Sequence, residues 1–169
     1  MTTGKSRPRH GKPRSISDNL RKLFDLFSSK DKILVTIDAD PDSMASAIAL
    51  KRILWRRVHT VTIAHFNEIR RFDNLTMTRL LKIPLAKLNK IDTQNFSKIL
   101  LVDGQPYHHE AFAKFRYDAV IDHHPIVTPV KAPFVDIRPE YGATATIMTE
   151  YLRAAKIRPS KNLATALVY

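Results

Sequence analysis

Short apolar segments alternate with amphipathic stretches along most of this chain. The apolar segments are rich in Ile, Leu and Val and are typical of buried strands. They span residues 32–37, 60–64, 98–102, 118–121 and 134–137. Stretches with helical spacing of apolar side chains predict helices at residues 43–57, 74–82, 107–114 and 144–156. Strands that alternate with helices predict an α/β fold, in which a parallel sheet carries helices on both faces.

The first residues do not follow this alternation. Residues 1–15 contain Gly, Pro, Ser and basic side chains with almost nothing apolar, which predicts a disordered basic tail. A helix is predicted next, capped by Ser17 or Asp18, because apolar side chains then recur at helical spacing. Those side chains are Leu20, Leu23, Phe24 and Phe27. We therefore predict a single globular domain over residues 16–169.

Composition narrows the class of protein. With 169 residues, 44% of them hydrophobic, the chain is long enough to bury a core. The absence of cysteine excludes disulfides and thiolate zinc sites and fits a reducing cytoplasm. No apolar run predicts a membrane span, and no secretory signal is apparent at the N-terminus.

The chain is strongly basic. Its formal net charge is +12, and five Lys or Arg residues lie in the first fifteen positions without an acidic residue among them. A basic surface favours polyanions such as nucleic acid or nucleotides. For the tail, two interpretations stay open: contact with single-stranded nucleic acid, or ordinary solvated charge.

Acidic and histidine residues follow three of the predicted strands. The first strand runs into residues 38–42 (DADPD), the third into Asp103, and the fourth into residues 122–124 (DHH). The carboxyl ends of parallel strands lie along one edge of a sheet, so we expect these side chains to converge there. Converging carboxylates repel one another and take up protons unless a divalent cation offsets the repulsion. Carboxylates with imidazole suit Mn²⁺, whereas oxygen ligands alone favour Mg²⁺ or Ca²⁺.

Each of these segments also has an ordinary structural explanation. Asp42 could cap the helix that follows it, and Asp103 could belong to a turn. Adjacent histidines are usually surface residues, which is how we interpret His108 and His109. All three acidic segments occur at corresponding strand ends, however, and this joint occurrence favours a metal site.

The motifs resemble those of a known family. The sequence Asp122-His123-His124-Pro125 resembles the signature of the DHH phosphoesterases, which include RecJ-like exonucleases, nanoRNases, cyclic-dinucleotide phosphodiesterases and family II inorganic pyrophosphatases. The resemblance covers residues 32–169. It includes residues 40–47 as the first motif, residues 101–103 as the second, and residues 136–146 as the stretch that follows the third.

The resemblance implies a site for two metal ions, Mn²⁺ or Mg²⁺. One ion would be bound by Asp40 and Asp103. The other would be bound by Asp42, Asp103 and His123, so that Asp103 bridges the two. Two ions bridged in this way are the arrangement used for hydrolysis at phosphorus.

The resemblance also implies catalytic roles for the other two residues of the DHH motif. His124 would contact the substrate phosphate, and Asp122 would orient the histidines. The implied activity is metal-dependent hydrolysis of phosphodiester bonds in short oligonucleotides or nucleotides. The alternative is a catalytically inactive module that binds nucleotide or nucleic acid on the same fold.

The chain departs from the family pattern at two places. Where the family commonly has a metal-binding histidine, this sequence has Thr36. Asp38 is then either a substitute oxygen ligand, which would favour Mg²⁺, or not a ligand. A fourth motif with a further metal carboxylate is expected just after residues 164–169, where the sequence stops. We therefore expect a domain that is incomplete at its C-terminus and nearly inactive alone.

Overall fold

Six parallel strands form the centre of this protein in a computed structural model that describes residues 15–169. The predicted tail, apart from Ser15, lies outside the described residues. The strands are β1 (Lys32–Ile37), β2 (Thr60–His65), β3 (Leu85–Lys87), β4 (Lys98–Val102), β5 (Ala119–Asp122) and β6 (Phe134–Ile137). Their order across the sheet is β3-β2-β1-β4-β5-β6, and every neighbouring pair is parallel. The predicted parallel α/β sheet is confirmed.

Helices connect the strands and cover the sheet. They are α1 (Ile16–Asp25), α2 (Pro41–Leu54), α3 (Phe72–Leu80), α4 (Glu110–Ala113), α5 (Thr144–Ala154) and α6 (Lys161–Val168). Two short 3₁₀ turns, Leu88–Lys90 and Thr93–Asn95, lead into β4. Between residues 15 and 169, no helix combines the length and the apolar character needed to cross a bilayer.

The sheet separates two apolar clusters. Successive side chains of a strand point to opposite faces, so Leu100 and Val102 join the larger cluster while Leu101 joins the smaller one. Side chains of α1, α2, α5 and α6 complete the larger cluster. The smaller one is built around Phe112 of α4 and Tyr117. Helices therefore lie on both faces, as predicted.

The position of β1 explains its composition. All of its residues after Lys32 are buried, because β2 and β4 flank it and helices cover it. A continuous apolar run is the pattern expected of such a central parallel strand. The polar residues that follow β1 are thereby held at the middle of the sheet edge.

Several predicted boundaries are wrong by a few residues. Helix α1 begins at Ile16, ahead of the predicted caps at Ser17 and Asp18. The strand predicted at residues 118–121 is found at Ala119–Asp122. The Asp118 carboxylate instead accepts the Ile99 N–H at 3.0 Å, outside the strand. Asp122 is consequently a fully buried strand residue.

Two further elements differ from the prediction. The helix predicted at residues 107–114 is reduced to the single turn Glu110–Ala113. It begins late because His109 caps it, with its Nδ1 accepting the Ala111 N–H at 3.0 Å. The edge strand β3 was not predicted; it has only three residues, none of them fully buried.

Candidate metal centre and phosphate site

The predicted ligands lie where the strand order reverses. Strands β1 and β4 are neighbours, but the chain continues from β1 to β2 on one side and from β4 to β5 on the other. Loops that diverge in this way leave a crevice at the carboxyl edge of a parallel sheet. The predicted acidic and histidine residues occupy the ends of β1, β4 and β5 and the segments just after them.

The first acidic loop is shaped by the N-terminus of α2. The Asp40 Oδ1 atom accepts the Ser43 N–H at 2.9 Å, and the Ser43 hydroxyl oxygen accepts the Asp40 N–H at 3.0 Å. Asp40 is thus the N-cap of the helix, and Pro41 is its first residue. The structural alternative considered for Asp42, that it caps α2, is wrong. Asp42 lies in the first turn and its carboxylate is available for other contacts.

A side chain from the loop after β2 fixes the same acidic loop. Asn67 accepts the Ala39 N–H at 2.8 Å through Oδ1 and donates to the Ala39 carbonyl at 3.1 Å through Nδ2. The side chains of Asp38 and Asp40, on either side, are exposed. Partial burial and the charge of Asp40 raise the pKa of Asp38 above its ordinary value. The two carboxylates are therefore held as a closely spaced, accessible pair.

The carboxylate of Asp42 faces the N-terminus of α5. Its Oδ2 accepts the Thr144 N–H at 2.8 Å, and its Oδ1 accepts the Ala145 N–H at 2.7 Å. These N–H groups have no partner within their own helix. The Ser46 hydroxyl also donates to Oδ1, at 3.3 Å. Asp42 therefore joins α2 to α5 and is held in one orientation, with a lone pair remaining on Oδ2 for a cation.

Asp103 is constrained through both its backbone and its side chain. It follows β4 with a φ of 60°, in the left-handed region, and its N–H donates to the Ile121 carbonyl at 2.9 Å. Its side chain accepts the Thr144 hydroxyl at 2.8 Å. The residue is only 8% exposed, and burial together with the nearby Asp42 charge raises its pKa to about 8. An ionised Asp103 is therefore unfavourable unless a cation lies beside it.

His123 lies between two of these carboxylates. Its Nε2 atom is 3.7 Å from Asp42 Oδ2 and 3.7 Å from Asp103 Oδ1. Its Nδ1 atom is 3.1 Å from the Tyr141 carbonyl oxygen. A carbonyl can only accept, so Nδ1 carries the proton and the neutral ring has a free lone pair on Nε2. This is the tautomer of a metal-binding histidine.

His124 is oriented by the buried acid of the DHH motif. Its Nδ1 is 2.8 Å from Asp122 Oδ1, so the neutral ring again has a free Nε2. The other oxygen of Asp122 accepts the Gln105 side-chain N–H at 2.6 Å. Gln105 also donates to the His124 carbonyl at 3.0 Å and is fully buried. Sequence reasoning missed Gln105, because nothing in its local sequence marks it as part of the site.

The residues at this edge fit a divalent cation. Asp103, His123 and His124 each offer a ligand atom, and these atoms lie within 4.8 Å of one another. They combine a buried carboxylate that is costly to ionise alone with imidazole nitrogens, a donor set that suits Mn²⁺ and similar ions. A second group, His108, Asp122 and His124, is equally close. It fits a cation poorly, since an ion bound there would have to replace the 2.8 Å contact between Asp122 and His124 that orients the His124 ring.

Thr36 is held inside the core rather than at the site. It is fully buried, and its hydroxyl donates to the Leu100 carbonyl at 3.2 Å. The strand position that carries a histidine in the family pattern therefore contributes no ligand here. In the segment just after β1, Asp38 and Asp40 are exposed.

A buried ionic network supports His123 from behind. Arg138 forms two hydrogen bonds with Asp136, at 2.9 and 2.7 Å, and a third with Glu150 at 2.7 Å. Glu150 also accepts the Tyr141 hydroxyl at 2.9 Å. The network therefore fixes Tyr141, whose carbonyl selects the His123 tautomer. Asp136 thus has a structural role near the site rather than a place in it.

The two histidines interpreted as surface residues are exposed, yet both lie beside the site. The His108 ring packs edge-on against His124, with ring centroids 5.3 Å apart. Its Nδ1 accepts the Gln105 N–H at 3.2 Å. The His109 ring stacks on Phe66 with centroids 4.0 Å apart. The sequence did not predict this position, because it depends on the pairing of β4 with β5, which brings the loops after these two strands together.

The fold and the site define a family. Residues 32–169 match the DHH family, N-terminal domain, and this chain belongs to that family. It therefore carries a phosphoesterase-type fold.

Individual relatives are longer than this chain. The chain is 41% identical over 137 residues to an uncharacterised protein of Methanocaldococcus jannaschii. The matched region covers 81% of this chain and 28% of that protein. An exopolyphosphatase-related protein from Bacteroides fragilis has a similar structure, with a TM-score of 0.61 at 16% identity over 90% of this chain and 48% of that one. The exonuclease RecJ bound to manganese gives a TM-score of 0.49 at 16% identity, covering 92% of this chain and 43% of that one.

Proposed function

We propose that this chain supplies the catalytic site of a metal-dependent phosphoesterase that hydrolyses phosphodiester bonds of short oligonucleotides or nucleotides. The observation that carries the proposal is the placement of His123, whose free Nε2 lies 3.7 Å from both Asp42 and Asp103. The Asp42 and Asp103 carboxylates repel each other when both are ionised, and a divalent ion bound by them and by His123 would offset this repulsion. We assign residues 16–169 to this phosphoesterase domain.

The roles of the ligands follow from their positions. Asp42, Asp103 and His123 would hold one ion, and Asp40 with Asp103 would hold the other. Asp38 would be a further ligand of the second ion, in place of the histidine that the family commonly has at the position of Thr36. Divalent ions, when bound, activate water and neutralise charge that develops on phosphorus oxygens. Mn²⁺ suits the site that contains His123, and Mg²⁺ suits the oxygen-only site.

The remaining residues of the motif act on the substrate. His124 is 44% exposed, and fully buried Asp122 holds its ring in place. His124 would contact the phosphate as an imidazolium paired with Asp122, the form in which Nε2 also donates a hydrogen bond. The net charge of +12 attracts an anionic substrate and offsets its repulsion by the carboxylates of the site. Contact between single-stranded nucleic acid and the basic tail belongs to the same proposal.

A second function is favoured by one observation. Thr36 is buried and bonded within the core, so one expected ligand is missing. A module that binds nucleotide on this fold without turnover is therefore the alternative.

Calorimetry and hydrolysis distinguish these functions. Mn²⁺ binding is measured for the wild type, for Asp103→Asn and for His59→Asn. His59 is exposed and precedes β2, at the amino ends of the strands, so its replacement serves as a control remote from the site. We expect binding by the wild type and the control only. Release of mononucleotides from a short RNA by the protein in its natural full length, dependent on Mn²⁺, supports the enzyme. Tight nucleotide binding without release supports the module, and equal Mn²⁺ binding by all three proteins refutes the proposed ligands.

A further inference from the structure

The loop after β4 places an additional imidazole beside the substrate-binding histidine. The rings of His108 and His124 are nearly perpendicular, at 84°, with centroids 5.3 Å apart. One nitrogen of His108 lies within 4.8 Å of ligand atoms of both Asp122 and His124. Both rings are accessible, since His108 is exposed and His124 is 44% exposed. A ligand that reaches His124 therefore comes close to His108.

Hydrogen bonds give the two rings opposite tautomers. The Gln105 N–H donates to Nδ1 of His108 at 3.2 Å, so a neutral His108 carries its proton on Nε2. His124 carries its proton on Nδ1, facing Asp122 at 2.8 Å. His108 therefore presents an N–H donor while neutral, whereas neutral His124 presents a lone pair. An unprotonated phosphate oxygen, which can only accept hydrogen bonds, is matched by the His108 donor.

One buried residue organises both rings. Gln105 is fully buried, and its side chain donates to Asp122 while its backbone N–H donates to His108. Its side-chain oxygen accepts the hydroxyl of Tyr107, whose own oxygen accepts the Val127 N–H at 2.9 Å. Such a connected set of hydrogen bonds restricts the rotation of its members. His108 is thus held in place before a ligand arrives, although it lies at the surface.

We propose that His108 is a further phosphate-binding residue, which donates a hydrogen bond from Nε2 to a non-bridging oxygen of the substrate phosphate held at His124. This inference rests on the proposed function for the identity of the ligand. It assigns the phosphate contact to two histidines from different loops, with Gln105 as the residue that positions both. The chemical class of ligand is a phosphate monoester or diester.

Two replacements distinguish the proposed donor of His108, its Nε2–H, from the hydrogen bond that its Nδ1 accepts from the Gln105 N–H. In His108→Gln the side-chain amide places an N–H near the position of Nε2, whereas in His108→Asn the amide oxygen replaces the Nδ1 acceptor and the donor is lost. His108→Ala removes both. His59→Asn is the matched control, because it makes the same chemical change at an exposed histidine remote from the site.

The experiment measures binding of adenosine 5′-monophosphate and of inorganic phosphate to each variant by calorimetry, with Mn²⁺ present. We expect His108→Ala and His108→Asn to bind about tenfold to a hundredfold more weakly, as for loss of one hydrogen bond to a charged group. His108→Gln should keep most of the affinity, and the control should equal the wild type. In turnover of a short RNA, the loss should fall on KM more than on kcat.

Other outcomes overturn the assignment. Wild-type affinity in His108→Asn would show that the ring only supports the loop, and absence of phosphate binding by the wild type would remove the site altogether. Phosphate binding that depends on His108 in a protein without turnover would leave this inference standing while the hydrolytic function fails. The two proposals therefore fail on different measurements.

Discussion

The substitution Asp103→Asn should stabilise the metal-free protein and remove its stabilisation by Mn²⁺. The Asp103 carboxylate is 8% exposed, and burial with the nearby Asp42 charge raises its pKa to about 8. Asn removes the charge with little other change. It tolerates the left-handed φ of 60° better than Ala would, and its oxygen can still accept the Thr144 hydroxyl.

The magnitude follows from the linkage between ionisation and folding. The pKa is raised from 3.8 to about 8, and one unit corresponds to about 1.4 kcal/mol, so the complete shift amounts to about 6 kcal/mol. Burial is the main cause of the shift and the Asp42 charge the next, and the Asp42 side chain is 21% exposed, so solvent screens part of the repulsion. We therefore expect a gain of about 2–4 kcal/mol at pH 8. The folded-state pKa lies above the unfolded one, so the wild type loses stability as the pH rises from about 4 to about 8. The gain from Asn grows over that same window.

Denaturant unfolding of the wild type, Asp103→Asn and the His59→Asn control tests this prediction. At pH 8 with a chelator, Asp103→Asn should be the most stable of the three, and at pH 5 its advantage should be much smaller. At pH 8 with Mn²⁺ at about a hundredfold excess over Kd, the wild type and the control should gain about 2.7 kcal/mol and Asp103→Asn should gain little. Equal effects of the substitution at pH 5 and pH 8, or full Mn²⁺ stabilisation of the variant, would refute the reasoning.

Three further predictions concern the neighbouring ligand, the supporting network and the tail. His123→Gln should weaken Mn²⁺ binding at least about tenfold in calorimetry, because the imidazole ligand held by Tyr141 is lost; unchanged affinity would contradict this. Asp136→Asn should destabilise the protein by about 3 kcal/mol in denaturant unfolding, because Arg138, 9% exposed, loses a bidentate charged partner; a change under about 1 kcal/mol would contradict it. Removal of residues 1–15 should leave the unfolding transition intact and weaken binding to single-stranded DNA, with a salt dependence reduced by up to about 3–4 in log–log slope. An unchanged affinity and slope would show that the tail is only solvated.

The sequence by itself determined the parallel sheet and the edge of the sheet at which the candidate ligands lie. Apolar runs such as residues 32–37 are local signals, because burial on both faces of a central strand requires apolar side chains at every position. Once the strands are parallel, their carboxyl ends share one edge, and Asp103 and the DHH segment are brought towards it without further information. The short edge strand β3 lacked such a signal, since its three residues are only partly buried.

Only the tertiary structure decided how those groups are held. The contact of Asp42 with the N-terminus of α5, the orientation of His123 by the Tyr141 carbonyl, and the support of two histidines by Gln105 all join residues from different elements. Local periodicity reports whether a side chain is buried, but not which distant group it meets. That depends on strand order and register, which place β4 between β1 and β5. A hydrogen bond exists only within a few tenths of an ångström of its ideal length, so these partners are set by the packed fold rather than by the pattern of the chain.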